Sequence, residues 1–116
     1  MKKLVIFLAS GILAACSSSD PNLSYSNEPI LNVEANLAPQ IEAKADRNQA
    51  WVKNKSTQPL NVTYHLYWYD NWGVTQIWPT QEESRTGALL LHPNEKKSLD
   101  LSKPTSKSQN YRLYLQ

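Results

Sequence analysis

The sequence predicts an all-β, immunoglobulin-like antiparallel β-sandwich of about seven strands. Short apolar stretches separated by turn-forming residues recur roughly every 8 to 12 residues from Ile30 to the C-terminus, the spacing of sandwich strands. The longest of them, from Leu60 to Tyr69, alternates strictly between two faces. No stretch of residues 29–116 carries apolar residues at the i, i+3, i+4 spacing that a core-facing helix requires.

The N-terminal segment stands apart from this pattern. Lys2 and Lys3 supply a positive start, and Leu4 to Ile12 an apolar stretch too short to cross a bilayer as a helix. Leu13-Ala14-Ala15-Cys16 then places small residues before the single cysteine, which resembles the bacterial lipobox. The expectation is a lipoprotein signal peptide over 1–15, with Cys16 as the lipidated new N-terminus. Diacylglycerol and an N-acyl chain together would make a stable anchor, since each buried methylene adds about 0.8 kcal/mol. Ser17 follows Cys16 where enterobacterial inner-membrane lipoproteins carry an aspartate, so the expected address is the periplasmic face of the outer membrane. Residues 16–28 form the lipidated cysteine and a Ser/Asn/Pro-rich flexible tether, in which Tyr25 is the one large apolar side chain and is expected to touch the domain. The twelve residues from Ser17 to Glu28 reach at most about 40 Å when extended and roughly 20 Å as a coil. A partner must therefore lie close to the membrane.

Without Lys2 and Lys3 the twelve basic residues become ten, against ten acidic ones, so the processed chain is formally neutral. A neutral domain lacks the clustered excess of Lys and Arg that nucleic acid requires, and no nucleic-acid partner is expected. With its one cysteine acylated, the mature chain forms no disulfide, and packing alone must hold one domain, assigned to 29–116.

Within that domain, Ile30 to Leu37 sets Val33, Ala35 and Leu37 on one parity and reads as a strand that Pro39 ends. Ile41 to Lys44 is a short second strand and Ala50 to Asn54 a third, joined by the turn Asp46-Arg47-Asn48. Lys55 to Pro59 is turn chemistry leading to the fourth strand, with antiparallel pairing of the third and fourth expected. There Leu60, Val62, Tyr64, Leu66 and Trp68 face the core, and Asn61, Thr63, His65, Tyr67 and Tyr69 face away. Asp70-Asn71-Trp72-Gly73 has the residues of a type I turn closed by a left-handed glycine, so Val74 to Trp78 is expected to return as the second arm of a hairpin. Pro79 to Thr86 reads either as a loop or as one helical turn. Ala88 to Leu91 reads as a strand buried on both sides or at a junction, His92 to Glu95 as a type I turn, and Lys97 to Leu101 as an alternating strand. After a polar loop from Ser102 to Asn110, Tyr111, Leu113 and Leu115 point inward from the last strand.

The lipobox, the block from Tyr64 to Gly73, the turn near Pro93 and the terminal Tyr111-Arg112-Leu113-Tyr114-Leu115 together resemble the YcfL-like periplasmic lipoproteins. The likeness is good from about Val52 onward and poor from Ile30 to Ala50. It implies a β-sandwich lipoprotein whose activity is uncharacterised. Members are often encoded beside an outer-membrane lipoprotein that activates a peptidoglycan synthase. It implies no catalytic residues.

The residues themselves point to no enzyme. Neither His65 nor His92 lies near a Gly-x-Ser-x-Gly turn, and Gly73 and Gly87 are too few for a phosphate-cradling loop. Two histidines on different strands make a poor metal set, and Glu82-Glu83 belongs to a solvated loop rather than a glycosidase pair. No cofactor and no metal are expected. What remains is the aromatic excess: Tyr67, Tyr69 and Trp72 form a candidate binding surface, because exposed Tyr and Trp give large contact area at small entropic cost. The opposing reading is a face covered by the other sheet's edge, the tether or the loop from Pro79. Two functions follow: a non-enzymatic accessory module that binds a periplasmic envelope protein, or a peptidoglycan-binding module that stacks these rings on sugars.

Overall fold

The computed structural model describes residues 28–116. The signal peptide, Cys16 and the tether to residue 27, with Tyr25, lie outside the described residues. The described chain is a β-sandwich of eight strands in two sheets, without an α-helix. The strands are β1 (Ile30–Val33), β2 (Ile41–Ala45), β3 (Ala50–Asn54), β4 (Leu60–Tyr69), β5 (Thr75–Gln76), β6 (Arg85–Leu91), β7 (Lys96–Ser98) and β8 (Asn110–Leu115).

The large sheet runs β1-β8-β4, with β4 then pairing β6 along its first part and β5 at its end. The small sheet is β2-β3-β7. Both inner faces are apolar by strand alternation: Val62, Leu66 and Trp68 from β4 meet Tyr111, Leu113 and Leu115 from β8, and Ala50 and Val52 come from β3. Tyr64 packs against this core and lies so close over Gly87 that an added Cβ there would sit 2.5 Å from the phenol oxygen. Any larger residue at position 87 would have to push that ring aside.

Several expectations are corrected. The sandwich is not wholly antiparallel, since β1 runs parallel to β8, and the strand expected over Lys97 to Leu101 is confined to Lys96–Ser98. The strand from Ile30 stops at Val33, and Leu37 reaches the core from the turn that follows it. β3 pairs with β2 and β7, not with β4. The chain crosses between sheets at Lys55 to Pro59, and the crossing is held by Asn54, whose side chain is fully buried. Its Nδ2 donates to the carbonyls of Gln58 (2.7 Å) and Leu91 (3.0 Å), and its Oδ1 accepts from the Ser56 N–H and hydroxyl. The expected return arm of the hairpin shrinks to Thr75 and Gln76, because Trp78 turns into the core under the Arg85 guanidinium, 4.1 Å from its ring centre. Residues 79–84 are a loop, not a helical turn. Finally, β6 is not buried on both sides: Leu91 is in the core while Leu90 is 48% exposed.

The turn at Asp70 forms as its residues predict. Gly73 adopts φ +81°, its N–H donates to the Asp70 carbonyl, and Asp70 Oδ1 accepts from the N–H groups of Trp72 and Val74.

One side chain ties the two sheets together. Tyr111, inward on β8, donates its hydroxyl to the Asp46 carbonyl in the β2–β3 turn. Burial, and secondarily the Asp46 charge, push this phenol up to about 12. The folded chain therefore holds the proton more tightly than the unfolded chain, whose tyrosines titrate near 10. The stability from this group is fully present below about pH 10 and is lost as pH rises towards about 12. Tyr111→Phe is expected to cost about 1 to 2 kcal/mol at neutral pH by stranding the carbonyl. It should also flatten the alkaline loss of stability in that window. Urea unfolding of both proteins at stepped pH measures both effects.

Candidate functional site

Because β4 and β8 lie side by side, the residues that alternate away from the core gather on the outer face of the large sheet. The register sets Tyr67 opposite Arg112 and His65 opposite Tyr114. On the other side of β8, Ile30 lies opposite Arg112 and Asn32 opposite Tyr114. Tyr67, Tyr69, Arg112 and Tyr114 line a shallow groove of about 660 Å³, closed at one end by Asn32 to Ala35 as the chain leaves β1. The three tyrosines are half-buried and Arg112 is exposed, so rings and guanidinium are both accessible from solvent.

Of the three residues singled out in the sequence, the structure brings Tyr67 and Tyr69 together in this groove. Trp72 is 75% exposed at the tip of the β4–β5 turn and does not line it. Arg112 and Tyr114 were missed. The signal was the same alternation that sends Tyr111, Leu113 and Leu115 inward, but only the β8–β4 pairing shows that the outward residues meet Tyr67 and Tyr69.

His65 borders the face in neutral company: its Nδ1 is 3.2 Å from the Thr86 hydroxyl, its Nε2 is 3.4 Å from Gln116 Nε2, and its ring tilts against Tyr114 at 5.9 Å. His92 is exposed in its turn, where Glu95 Oε1 accepts its backbone N–H and is thereby held below the usual carboxylate range. Glu82 and Glu83 are exposed in the loop before β6, and Glu82 accepts from the Thr80 hydroxyl. Among the described residues no group of His, Cys, Asp and Glu gathers as a metal set would. The groove holds ring faces, phenol hydroxyls and one fixed cation, which are the means of non-covalent recognition.

A family model described as "Protein of unknown function (DUF1425)" matches residues 30–116. An uncharacterized protein of Haemophilus influenzae is 56% identical over 115 residues, covering 99% of both chains. Two crystal structures share the fold. One is a DUF1425 family member from a Shewanella species, with TM-score 0.51 and 20% identity over 66% of this chain and 71% of that one. The other is a Campylobacter jejuni protein, with TM-score 0.52 and 19% identity over 76% of this chain and 97% of that one.

Proposed function

The chain belongs to the DUF1425 family, and from its N-terminal sequence and its outer sheet face we propose that it is a YcfL-like periplasmic lipoprotein. Cys16 anchors it to the outer membrane, and its β-sandwich is a non-enzymatic module that docks an envelope protein in cell-wall maintenance. The observation that carries the docking reading is the groove around Arg112, where Tyr67, Tyr69 and Tyr114 stand half-exposed on the side of the sheet that the sandwich core does not use. A sandwich needs apolar side chains on one face of each sheet only, so three tyrosines on the other face serve something besides the fold. Peptidoglycan is the second reading, favoured by the same phenols, which offer sugars both a stacking face and a hydroxyl.

The anchor is tested by Cys16→Ser. The lipoprotein-type peptidase cuts only before a lipidated cysteine, so this variant should accumulate as uncleaved, unlipidated precursor at the inner membrane. Fractionation with immunoblotting reads the outcome, and mature-sized protein from the variant would refute the lipobox.

A further inference from the structure

A second cleft, of about 310 Å³, opens at the end of the sandwich where the β2–β3 turn, the β4–β5 turn and the loop before β8 converge. Trp68 and Tyr111 form its floor, and Arg47, Asn48, Asn71 and Lys103 its walls, with Gln109 also at the lining. Both turns are closed by their own first aspartate. Asp46 Oδ1 accepts the N–H groups of Gln49 and Asn48, which hold its carboxyl below the usual range, and Asp70 Oδ1 accepts those of Trp72 and Val74. Both carboxylates are turned to the N–H groups of their own turns, and among the described residues no acidic side chain lines the cleft.

The cations are differently placed. The ion pairs among the described residues are Arg85 with Asp100 and Lys97 with Glu95. Arg47 and Lys103 take part in neither, and Lys103 Nζ lies 5.6 Å from the centre of the Trp68 ring. An exposed cation held over an aromatic floor, with a second cation, Arg47, at the same lining, favours an anion. The side-chain amides of Asn48, Asn71 and Gln109 each offer donors and an acceptor, the complement of a peptide bond. The volume is at the small end of the range for ligand sites, about 300 to 1,000 Å³, enough for a chain end rather than a folded surface.

We infer that this cleft binds the C-terminal carboxylate of a polypeptide partner, with Arg47 and Lys103 on the carboxylate and the amides of Asn48, Asn71 and Gln109 on the last peptide groups. The site shares no residue with the tyrosine groove and stands whether or not that groove docks a protein.

The test is titration of the isotope-labelled full-length chain, in detergent, with N-acetyl-L-alanyl-L-alanine, followed by backbone amide NMR shifts. Saturable shifts confined to residues 46–49, 70–73 and 103–111 are expected at concentrations up to about 10 mM. The C-terminally amidated peptide should bind about tenfold more weakly or worse, and so should Arg47→Ala and Lys103→Ala with the free acid. Both substitutions are at exposed positions, so the fold is retained. Equal binding of acid and amide, or no saturable shift at these residues, would overturn the assignment. Preference for the D,D-dipeptide acid would also overturn it, in favour of a cell-wall stem peptide. The tyrosine groove would be untouched by any of these results.

Discussion

Trp68→Ala is expected to leave the domain unfolded or barely folded. Trp68 is 3% exposed, stands inward on the central strand of the large sheet, and packs on Tyr111 with ring centres 5.1 Å apart and planes tilted by 55°. Removing so large a buried ring costs about 3 to 5 kcal/mol, against the roughly 5 to 15 kcal/mol that holds a domain of this size. The described core contains no disulfide to absorb the loss, so packing is what remains. Trp72→Ala is the internal control: four residues away and 75% exposed, it should shift stability by no more than about 0.5 kcal/mol. Urea denaturation of the two variants beside the parent reads the difference. Comparable losses would mean that the β4–β5 turn is packed as part of the core.

The second large effect is expected at Asn54. This polar residue is wholly buried at the point where the chain passes from the small sheet to the large one. Its backbone N–H donates to the Glu95 carbonyl and its own carbonyl accepts from Asn94, while its side chain bonds Ser56, Gln58 and Leu91. Three separate segments thus meet on one residue, two of them on its side-chain amide. Asn54→Ala strands the Leu91 carbonyl and the Ser56 N–H, at about 1 to 3 kcal/mol for each group left dry, while the exposed Gln58 carbonyl keeps the Ser56 hydroxyl, so a total loss of about 2 kcal/mol or more is expected. Asn54→Asp distinguishes hydrogen bonding from volume. The isosteric carboxylate fills the same space but cannot donate to Gln58 or Leu91 and brings an unpaired charge, so it should destabilise at least as much as alanine. If Asn54→Asp is tolerated, the crossing is held by shape and not by the amide.

The strand positions were legible because alternation is a local signal: Leu60 to Tyr69 and Tyr111 to Leu115 sort inward and outward residues without knowledge of their neighbours. Pairing was not legible, because it joins residues far apart in the chain. Nothing in Ile30–Val33 announces that it runs parallel to β8, and nothing in Ala50–Asn54 says that it prefers Lys96–Ser98 to the strand that follows it. Ala88-Leu89-Leu90-Leu91 misled by composition: four apolar residues in a row hide the alternation that leaves Leu90 outside. The candidate site followed the same division. Tyr67 and Tyr69 were found by parity, whereas their company with Arg112 and Tyr114 depends on the β4–β8 register. Trp72 is next to them in sequence, but the turn begun by Asp70 takes it off the strand, and adjacency in sequence ceased to mean a shared face.

The central claim, that the outer face of the large sheet is a docking surface, is tested most directly by site-specific photocrosslinking of the intact lipoprotein in its own envelope. A photoreactive amino acid is placed at Tyr67 in one variant and at Lys44, exposed on β2 of the small sheet, in another. A discrete protein adduct is expected from position 67 and none from position 44. Adduct to peptidoglycan fragments in place of protein would decide for the glycan reading of the same face, and equal labelling from both positions, or none from either, would contradict the claim.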